Sequence, residues 1–540
     1  MDLDLRARPG RSGRRWPRPA AGLLLAAALS FMALAWVGGN PPGMSVDEPA
    51  HYRKAVGLAH LDVIGEPAGY LKVPANTPSM LAWLNRTSRA VTVPPGVQGC
   101  HAFRLPVGGR CPRLPPSVVD RPLRADQEVT YVGTYPPFVY ALPAVPMRVA
   151  EAFGGDTEAL LMVGRVALAL LCLALVIGAG YLLGDDGRGV GSTRLAGVND
   201  LAHLAGLARL AGLALAVSPM VVFLMAELAA SGPEVAASIS LLAAAFALTS
   251  GAGPARPAVA WTALAASAVV LAGTRSVGPV WLAVLAAIVV VLRGPRLVLA
   301  VVRAHRRAAK VTAALAAAAT AATVVWRVVV EPKPPLDAST VASGIWPGLR
   351  QVPAVLAHAV GSFGWFDVDL PWPLYAVWGA LVGGLVVLAL VVGSTGERRA
   401  LAGLLVLEVV GAVAFYAAVI RPTSVAFKMQ GRYVLPLLVA LPLVAGEIVG
   451  GHSDRVASVL RSRASQVLAG GIGAAATVHA LAWVANARYY QHSAVFGREY
   501  PARWDPWGGW LVWGVVAGCG VALAWLAVVS ASRVERVADP

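Results

Sequence analysis

The sequence predicts an all-α polytopic membrane protein with about 12 transmembrane helices. Three observations support this fold class. Of the 540 residues, 57% are hydrophobic and only 14% are charged, a balance that soluble domains do not have. Apolar runs of roughly 18 or more residues, long enough to cross a bilayer as helices, recur along the chain. Arginine-rich loops separate many of them, and such loops set the orientation of membrane helices.

The helical bundle is predicted to occupy residues 159–530, after a first transmembrane helix at 20–38. A cleaved signal peptide is the alternative for 20–38, because Ala33-Leu34-Ala35 resembles a cleavage site. The other predicted spans are 160–183, 207–226, 234–250, 258–273, 277–293, 311–330, 373–393, 400–420, 433–449, 466–485 and 510–530.

Charge predicts the orientation of these spans. The disordered basic tail at 1–19 and the arginine-rich loop at 293–310 are expected in the cytoplasm. An even number of spans places the C-terminal tail, 531–540, on the same side. We therefore expect a multi-pass protein of the plasma membrane with both termini in the cytoplasm. The segments expected on the opposite, extracytoplasmic side are 39–158, 331–372, 421–432 and 486–509.

The segment 39–158, called the first loop below, is long and mostly polar. Cys100 and Cys111 lie in it, and a disulfide between them is plausible if the loop is extracytoplasmic. Tyr135 precedes Pro136-Pro137, a pair that bars a regular helix. The apolar stretch that follows favours a segment that dips into the membrane interface.

The start of the first loop carries ionisable residues close to the bilayer, where such groups are costly unless they serve a function. The residues are Asp47, Glu48, His51 and Arg53. A carboxylate here can accept a proton from a hydroxyl group, or bind a divalent cation. A helix cap is the structural alternative, because Ser45 and Glu48 have the spacing of a capping box and Pro49 suits a first helical turn. A lone histidine is more often structural than a ligand.

Two later segments add polar groups on the same predicted side. Asp367 and Asp369 lie in an aromatic loop, where they either bind sugar hydroxyls or face water. The second segment contains Lys428, Gln430, Arg432 and Tyr433. Its arginine offers a planar fork for phosphate next to Gly431, which permits close backbone approach, although basic residues at a span end can also be snorkelling flanks.

Glu227, Glu234 and Arg275 lie near the predicted outer ends of spans. Glu227 and Arg275 either pair with each other, which is a structural role, or line the cavity.

Several functional classes are excluded or disfavoured. The formal net charge is +16, yet no Lys/Arg tract interleaved with aromatic residues points to nucleic acid. The sequence has no phosphate-binding Walker loop, no dinucleotide fingerprint and no Cys/His metal spacing. This pattern speaks against an ATP-driven pump and against a cytosolic nucleotide-sugar site.

Four motifs together carry a resemblance: Asp47-Glu48-Pro49-Ala50-His51, Tyr135-Pro136-Pro137, Ser362-Phe363-Gly364-Trp365 and Gln430-Gly431-Arg432-Tyr433-Val434-Leu435-Pro436. In this order, over roughly residues 40–450, they resemble a group of bacterial polytopic membrane proteins of unknown function. That group is similar in layout to the GT-C glycosyltransferases, which use polyprenyl-phosphate sugars and place a catalytic acid in the first extracytoplasmic loop.

The resemblance implies that Asp47 is the catalytic acid and Glu48 its neighbour. Some members of the class have an Asp-Asp pair instead, so which acid acts stays open, as does a divalent cation held by the pair. The implied partners are a polyprenyl-phosphate sugar donor, an envelope glycan or lipid acceptor, and the lipid bilayer. The Ala/Arg/Gly-rich composition suggests a high-GC actinobacterium.

We therefore expect a membrane glycosyltransferase. The alternatives are a transporter or flippase for lipid-linked glycans, and a non-catalytic assembly factor for envelope enzymes.

Overall fold

The computed structural model describes residues 19–68, 80–98, 122–184, 196–250, 253–331, 338–421, 429–491, 494–495, 498–499 and 504–532. Its first ten helices are α1 (Pro19–Gly39), α2 (Glu48–Ala59), α3 (Met80–Thr87), α4 (Ala141–Ala152), α5 (Thr157–Gly184), α6 (Ala196–Ala216), α7 (Pro219–Met225), α8 (Ser231–Leu248), α9 (Pro257–Thr274) and α10 (Gly278–Arg293). The others are α11 (Pro295–Ala304), α12 (Arg306–Val329), α13 (Ala338–Val360), α14 (Trp372–Val392), α15 (Thr395–Phe415), α16 (Leu435–Leu438), α17 (Ala440–Gly451), α18 (Ser453–Leu460), α19 (Ala464–Gln491) and α20 (Gly509–Ser532).

The structure agrees with an all-α polytopic membrane protein. In the described ranges, nine helices are long and apolar enough to cross a membrane, or up to eleven if each of two bent pairs counts as one span. The sequence predicted twelve spans, and helix lies at every predicted position. At 433–449, however, the apolar helix Leu435–Gly451 is short. Its 17 residues extend only about 26 Å, less than a typical hydrocarbon core.

Proline and glycine produce the two bent pairs. Helix α7 departs from α6 by 68°, where Ser218 caps the new helix and Pro219 opens it. Helix α11 departs from α10 by 106° at Gly294, whose φ of 81° suits glycine. Pro295 then begins α11, because proline cannot donate the hydrogen bond that would continue α10.

The described parts of the first loop, 39–68, 80–98 and 122–158, fold into a small unit on one end of the bundle. Its three short antiparallel strands, in the order β1-β2-β3, are β1 (Glu66–Pro67), β2 (Arg89–Thr92) and β3 (Gln127–Thr130). Tyr52 of α2, Val91 of β2 and Met147 of α4 share one buried apolar cluster with Leu160 of α5. This packing fixes α2, which begins with the two adjacent acids, against the bundle.

From residue 338 onward, the predicted outer segment 331–372 is largely helical. It contains α13 and a hairpin of β4 (Ser362–Phe363) and β5 (Val368–Asp369). Helix α13 fits closely against the π-helical turn Tyr416–Ile420 that continues α15, because Gly344 and Gly348 have no side chains: a Cβ at Gly344 would lie 2.8 Å from a backbone atom of Ala417. Two further strands, β6 (Ala494–Val495) and β7 (Arg498–Glu499), follow α19.

Candidate active site

The two adjacent acids sit at the sharp turn between α1 and α2. Asp47 is the residue before α2 and has a left-handed backbone, with φ 65° and ψ −2°. Aspartate tolerates this region better than most residues, but such outliers often mark functional sites. The capping-box arrangement is not what forms here. The Asp47 side chain makes no cap hydrogen bond, and the Ser45 hydroxyl contacts Asn40.

The Asp47 carboxylate contacts two side chains that are distant from it in sequence. The Tyr131 hydroxyl donates a 2.6 Å hydrogen bond to Oδ1 of Asp47, and the Arg432 guanidinium forms an ion pair with Oδ2. The Arg432 side chain is 2% exposed, whereas that of Asp47 is 25% exposed. The carboxylate is therefore the more accessible member of this ion pair.

Electrostatics keep Asp47 ionised and His51 neutral. Burial alone would raise the pKa of Asp47, but the Arg432 charge and the Tyr131 hydrogen bond hold that pKa below its usual value. Burial lowers the pKa of His51 to about 3. Nδ1 of His51 lies 2.6 Å from the Tyr140 hydroxyl, so the imidazole is anchored as an uncharged neighbour of the acid.

Glu48 points into the protein, away from Asp47's partners. Its carboxylate is fully buried and accepts two 2.6 Å bonds from Nε and Nη2 of Arg165 on α5. It also accepts the backbone amides of Gly43, at 3.0 Å, and Leu228, at 3.1 Å. Arg165 in turn donates to three backbone carbonyls at the end of α1, those of Val37, Asn40 and Pro41. Glu48 thus ties together α1, α2, α5 and the turn after α7.

The two acids do not form a joint cation site in this arrangement. Each carboxylate is neutralised by a different arginine, Arg432 for Asp47 and Arg165 for Glu48. Within the residues that the structure describes, no group of three or more His, Cys, Asp or Glu side chains could hold a metal ion. The donor set present therefore does not fit a divalent cation shared by Asp47 and Glu48.

The Gln-Gly-Arg-Tyr run positions the Arg432 guanidinium. Oε1 of Gln430 accepts a 2.7 Å bond from its Nε, and the Tyr433 ring lies 5.2 Å from it. Gly431 packs directly on α13, where a Cβ would lie 2.6 Å from both the Val355 carbonyl oxygen and the Ala359 nitrogen. Only glycine allows this approach without a shift of the backbone.

Arg275 lies beside this arginine and pairs with Glu234. Its Nη1 is 3.3 Å from Oε2 of Glu234, and its guanidinium lies over the rings of Tyr135, at 5.8 Å, and Tyr433, at 5.5 Å. The suggested pairing of Arg275 with Glu227 is therefore wrong. Since Tyr433 contacts both arginines, the Tyr135 motif and the Gln-Gly-Arg-Tyr run meet in one cluster with Asp47.

Comparison with known proteins agrees with the membrane architecture. The family model described as "Predicted membrane protein (DUF2142)" matches residues 29–441, which include Asp47, Glu48 and Arg432. The chain belongs to the DUF2142 family. No curated protein and no solved structure matches the DUF2142 protein.

Asp367 and Asp369 of the DUF2142 protein stabilise its β4–β5 hairpin. Asp367 accepts the Trp365 amide at 2.9 Å and the Tyr489 hydroxyl at 2.8 Å, and Asp369 accepts the Ser362 hydroxyl at 2.7 Å. The hairpin presents the Phe366 ring 5.7 Å from the Arg432 guanidinium. These contacts give both acids a positioning role, and sugar binding by them stays a prediction.

Two further predicted site residues, Glu227 and Arg53, make their contacts with groups other than Asp47. Glu227 is buried near the Glu48–Arg165 pair, and burial together with the Glu48 charge raises its pKa well above the usual value. The Ser45 hydroxyl lies next to its carboxyl group, although neither carboxyl oxygen meets the geometry of a hydrogen bond in the described part of the protein. Arg53 is bonded to Glu128 at 2.7 Å, which joins α2 to β3. Lys428, Cys100 and Cys111 lie outside the described residues.

Sequence reasoning missed Tyr131, Tyr140 and Arg165 as parts of the site. Arg165 carried a usable signal, because a lone charge inside the apolar segment 160–183 is costly and requires a partner. Tyr131 and Tyr140 flank the Tyr135 motif and offered no signal beyond that proximity.

Proposed function

We propose that this DUF2142 protein is a membrane glycosyltransferase. It would move a sugar from a polyprenyl-phosphate donor to an envelope glycan or lipid acceptor on the extracytoplasmic face. One observation carries the proposal: a partly exposed, ionised Asp47 in a left-handed turn contacts an otherwise buried arginine and a tyrosine at one end of an apolar bundle. A carboxylate of this kind is suited to accept a proton from an acceptor hydroxyl.

The proposed reaction is a displacement at the anomeric carbon of the donor. The acceptor oxygen forms a bond to that carbon while the bond from the carbon to the phosphate oxygen breaks. The electron pair of the broken bond stays on the departing polyprenyl phosphate, and the acceptor's proton passes to Asp47. Arg432 pairs with the acid and shares the Tyr433 ring with Arg275, so the two guanidinium groups would stabilise negative charge on the departing phosphate.

Arg432 would couple donor binding to activation of the base. Its charge holds the pKa of Asp47 down, which weakens the carboxylate as a proton acceptor. A donor phosphate that draws the guanidinium toward itself would remove part of this effect. The pKa of Asp47 would then rise, and the acid would become a stronger base once the donor is bound.

The aromatic side chains around the acid provide a rigid surface. Tyr131 donates to Asp47, and the Trp83 ring lies 5.6 Å from the Tyr131 ring. Tyr135 and Tyr433 are held by Arg275 on the opposite flank. Groups packed in this way change shape little on binding, which favours correct alignment of donor and acceptor.

The proposal is tested with purified protein and a panel of polyprenyl-phosphate sugars, with release of polyprenyl phosphate and glycosylation of added acceptors as readouts. Asp47→Asn should abolish transfer. The protein should still fold, because asparagine also tolerates a left-handed backbone, but with a lower unfolding midpoint because Arg432 loses its counter-ion. Asp126→Asn is the matched control, since Asp126 lies in the same first loop but its side chain is 46% exposed and paired with Arg124. Full transfer by Asp47→Asn would end the proposal.

A flippase for lipid-linked glycans is the second candidate, and one observation favours it. Glu408 lies in the membrane-spanning α15, is buried, and has an Oε1 without a hydrogen-bond partner among the described residues. Buried carboxyl groups in spans often serve transport. Movement of an unmodified lipid-linked glycan across liposomes, lost in Glu408→Gln and retained in Asp47→Asn, would favour this function over transfer.

A further inference from the structure

An apolar groove lies on the outer surface of the bundle, between α10 and α15. Its volume is about 530 Å³. Val284, Ile288 and Val291 line the α10 side, and Gly403 and Leu407 line the α15 side. The Val291 side chain is 68% exposed, so in the membrane this groove faces lipid.

The groove has a single cationic residue among its lining side chains. Arg399 belongs to the first turns of α15, is exposed, and forms no ion pair with any residue that the structure describes. Two other arginines have partners of their own: Arg398, the preceding residue, donates to the Val391 carbonyl at 2.9 Å, and Arg293, at the end of α10, pairs with Glu447. The Arg399 guanidinium is therefore available to bind a ligand at one end of the groove.

Arg399 marks the end of the bundle opposite to Asp47. Helix α10 starts beside Arg275 in the candidate site and runs for 16 residues, or about 24 Å, to Arg293. Helix α15 runs in the other direction, so that Phe415, near its end, stacks on Tyr433 at 5.8 Å. The groove is thus separate from the candidate active site and opens toward the other leaflet.

The adjoining helix α11 has the features of an interfacial helix. It turns 106° away from α10, has no buried residue, and carries the exposed apolar side chains Leu297, Leu299 and Val302 together with Arg296 and Arg303. An amphipathic helix of this composition lies in the plane of the headgroups and attracts anionic lipid. It places positive charge at the same membrane level as Arg399.

We propose that this groove binds one anionic phospholipid from the leaflet next to α11. The acyl chains lie along α10 and α15, and the Arg399 guanidinium binds the phosphate through charge-assisted hydrogen bonds. The apolar side chains of the groove would contact the acyl chains. The unpaired Arg399 would give the site its preference for a negatively charged headgroup. This site is independent of the proposed glycosyl transfer.

The test uses full-length protein in micelles of a neutral detergent, titrated with phosphatidylglycerol or, as the uncharged comparison, phosphatidylcholine. Bound lipid is counted by native mass spectrometry. We expect phosphatidylglycerol to bind the wild-type protein at least tenfold more tightly than phosphatidylcholine. Arg399→Gln should remove this preference, whereas Arg398→Gln, the matched control, should keep it.

A second variant fills the groove without disturbing the fold. A Cβ at Gly403 would meet no atom within 4 Å, so the side chain introduced by Gly403→Leu should occupy only the open space of the groove. It should weaken phosphatidylglycerol binding at least tenfold at an unchanged unfolding temperature. Equal affinity for the two lipids, or unchanged binding in both Arg399→Gln and Gly403→Leu, would overturn the proposal. A third outcome would also overturn it: a wild-type protein that is dimeric and a Gly403→Leu variant that is monomeric but still binds the lipid. The groove would then be occupied by a second copy of the chain.

Discussion

Glu48→Gln is expected to destabilise the protein severely, although glutamine has nearly the same size as glutamate. The Glu48 carboxylate is fully buried and is the counter-ion of the equally buried Arg165. The substitution removes the negative charge and leaves the guanidinium buried without compensation. It also turns an acceptor-only group into one that carries two N–H donors, and those donors face the donors of Arg165, Gly43 and Leu228.

The contacts set the magnitude of this loss. Breaking a buried ion pair by removing one partner costs about 3–5 kcal/mol. Folded proteins are stable by only about 5–15 kcal/mol, so the substitution removes a large share of the total. Arg165→Gln should cost a similar amount, since three backbone carbonyls also lose their donor. In Glu48→Gln/Arg165→Gln neither charge remains, so the double variant should be more stable than the sum of the single losses predicts, by about 1–3 kcal/mol.

The assay is the yield of monodisperse protein from size-exclusion chromatography, together with the midpoint of thermal unfolding in one detergent. Asp126→Asn serves as the control because Asp126 is exposed and lies in the same first loop. Wild-type yield and midpoint for Glu48→Gln would refute the reasoning. Glu48 would then be dispensable for the fold, which would remove the structural role assigned to it here.

Three further predictions concern the surroundings of Asp47. Gly431→Ala should lower transfer at least tenfold, because its Cβ overlaps the backbone of α13 and displaces Arg432; initial rates of polyprenyl phosphate release measure this. Arg432→Lys should raise the donor KM about tenfold, or about 1.4 kcal/mol, because lysine lacks the planar fork. Below pH 6.5 His51 is protonated in the unfolded chain, whereas in the folded protein it stays neutral down to about pH 3. Between these two values His51 should lower the free energy of unfolding by about 1.4 kcal/mol for each unit by which the pH falls. His51→Gln should reduce this slope, as unfolding midpoints at pH 7 and pH 5 will show.

Each of these variants has a result that would contradict the account. Unchanged rates in Gly431→Ala would show that the placement of Arg432 does not matter for transfer. An unchanged KM with a reduced kcat in Arg432→Lys would remove Arg432 from donor binding. The same pH slope in wild type and His51→Gln would mean that another group titrates.

The membrane architecture was readable from the sequence because each span must be apolar throughout its length. The apolar segment 20–38 corresponds to α1, and the segment 160–183 lies within α5. Helix α13 was missed because Pro347 and Pro353 interrupt its pattern and only one face is apolar. The bend at Ser218 was missed because the apolar pattern of 207–226 does not indicate a change of direction. The predicted span did end at 293, but the segment after it, predicted as a loop, forms α11.

The candidate site was readable only in part. The sequence placed Asp47 and Arg432 on one side of the membrane, and the structure puts them in contact although they are 385 residues apart. The different roles of Asp47 and Glu48 could not be predicted, because they depend on which of the two carboxylates pairs with Arg165. That outcome follows from the left-handed turn at Asp47, which directs the neighbouring side chains to different partners.

The most direct test of the central claim measures polyprenyl phosphate release by purified wild-type protein and by Asp47→Asn, across a panel of polyprenyl-phosphate sugars with envelope lipid acceptors. The account predicts release and acceptor glycosylation with at least one donor by the wild-type protein. It also predicts a loss of at least 100-fold in the folded, monodisperse fraction of Asp47→Asn, in line with removal of a general base. Equal release by the two proteins would contradict it.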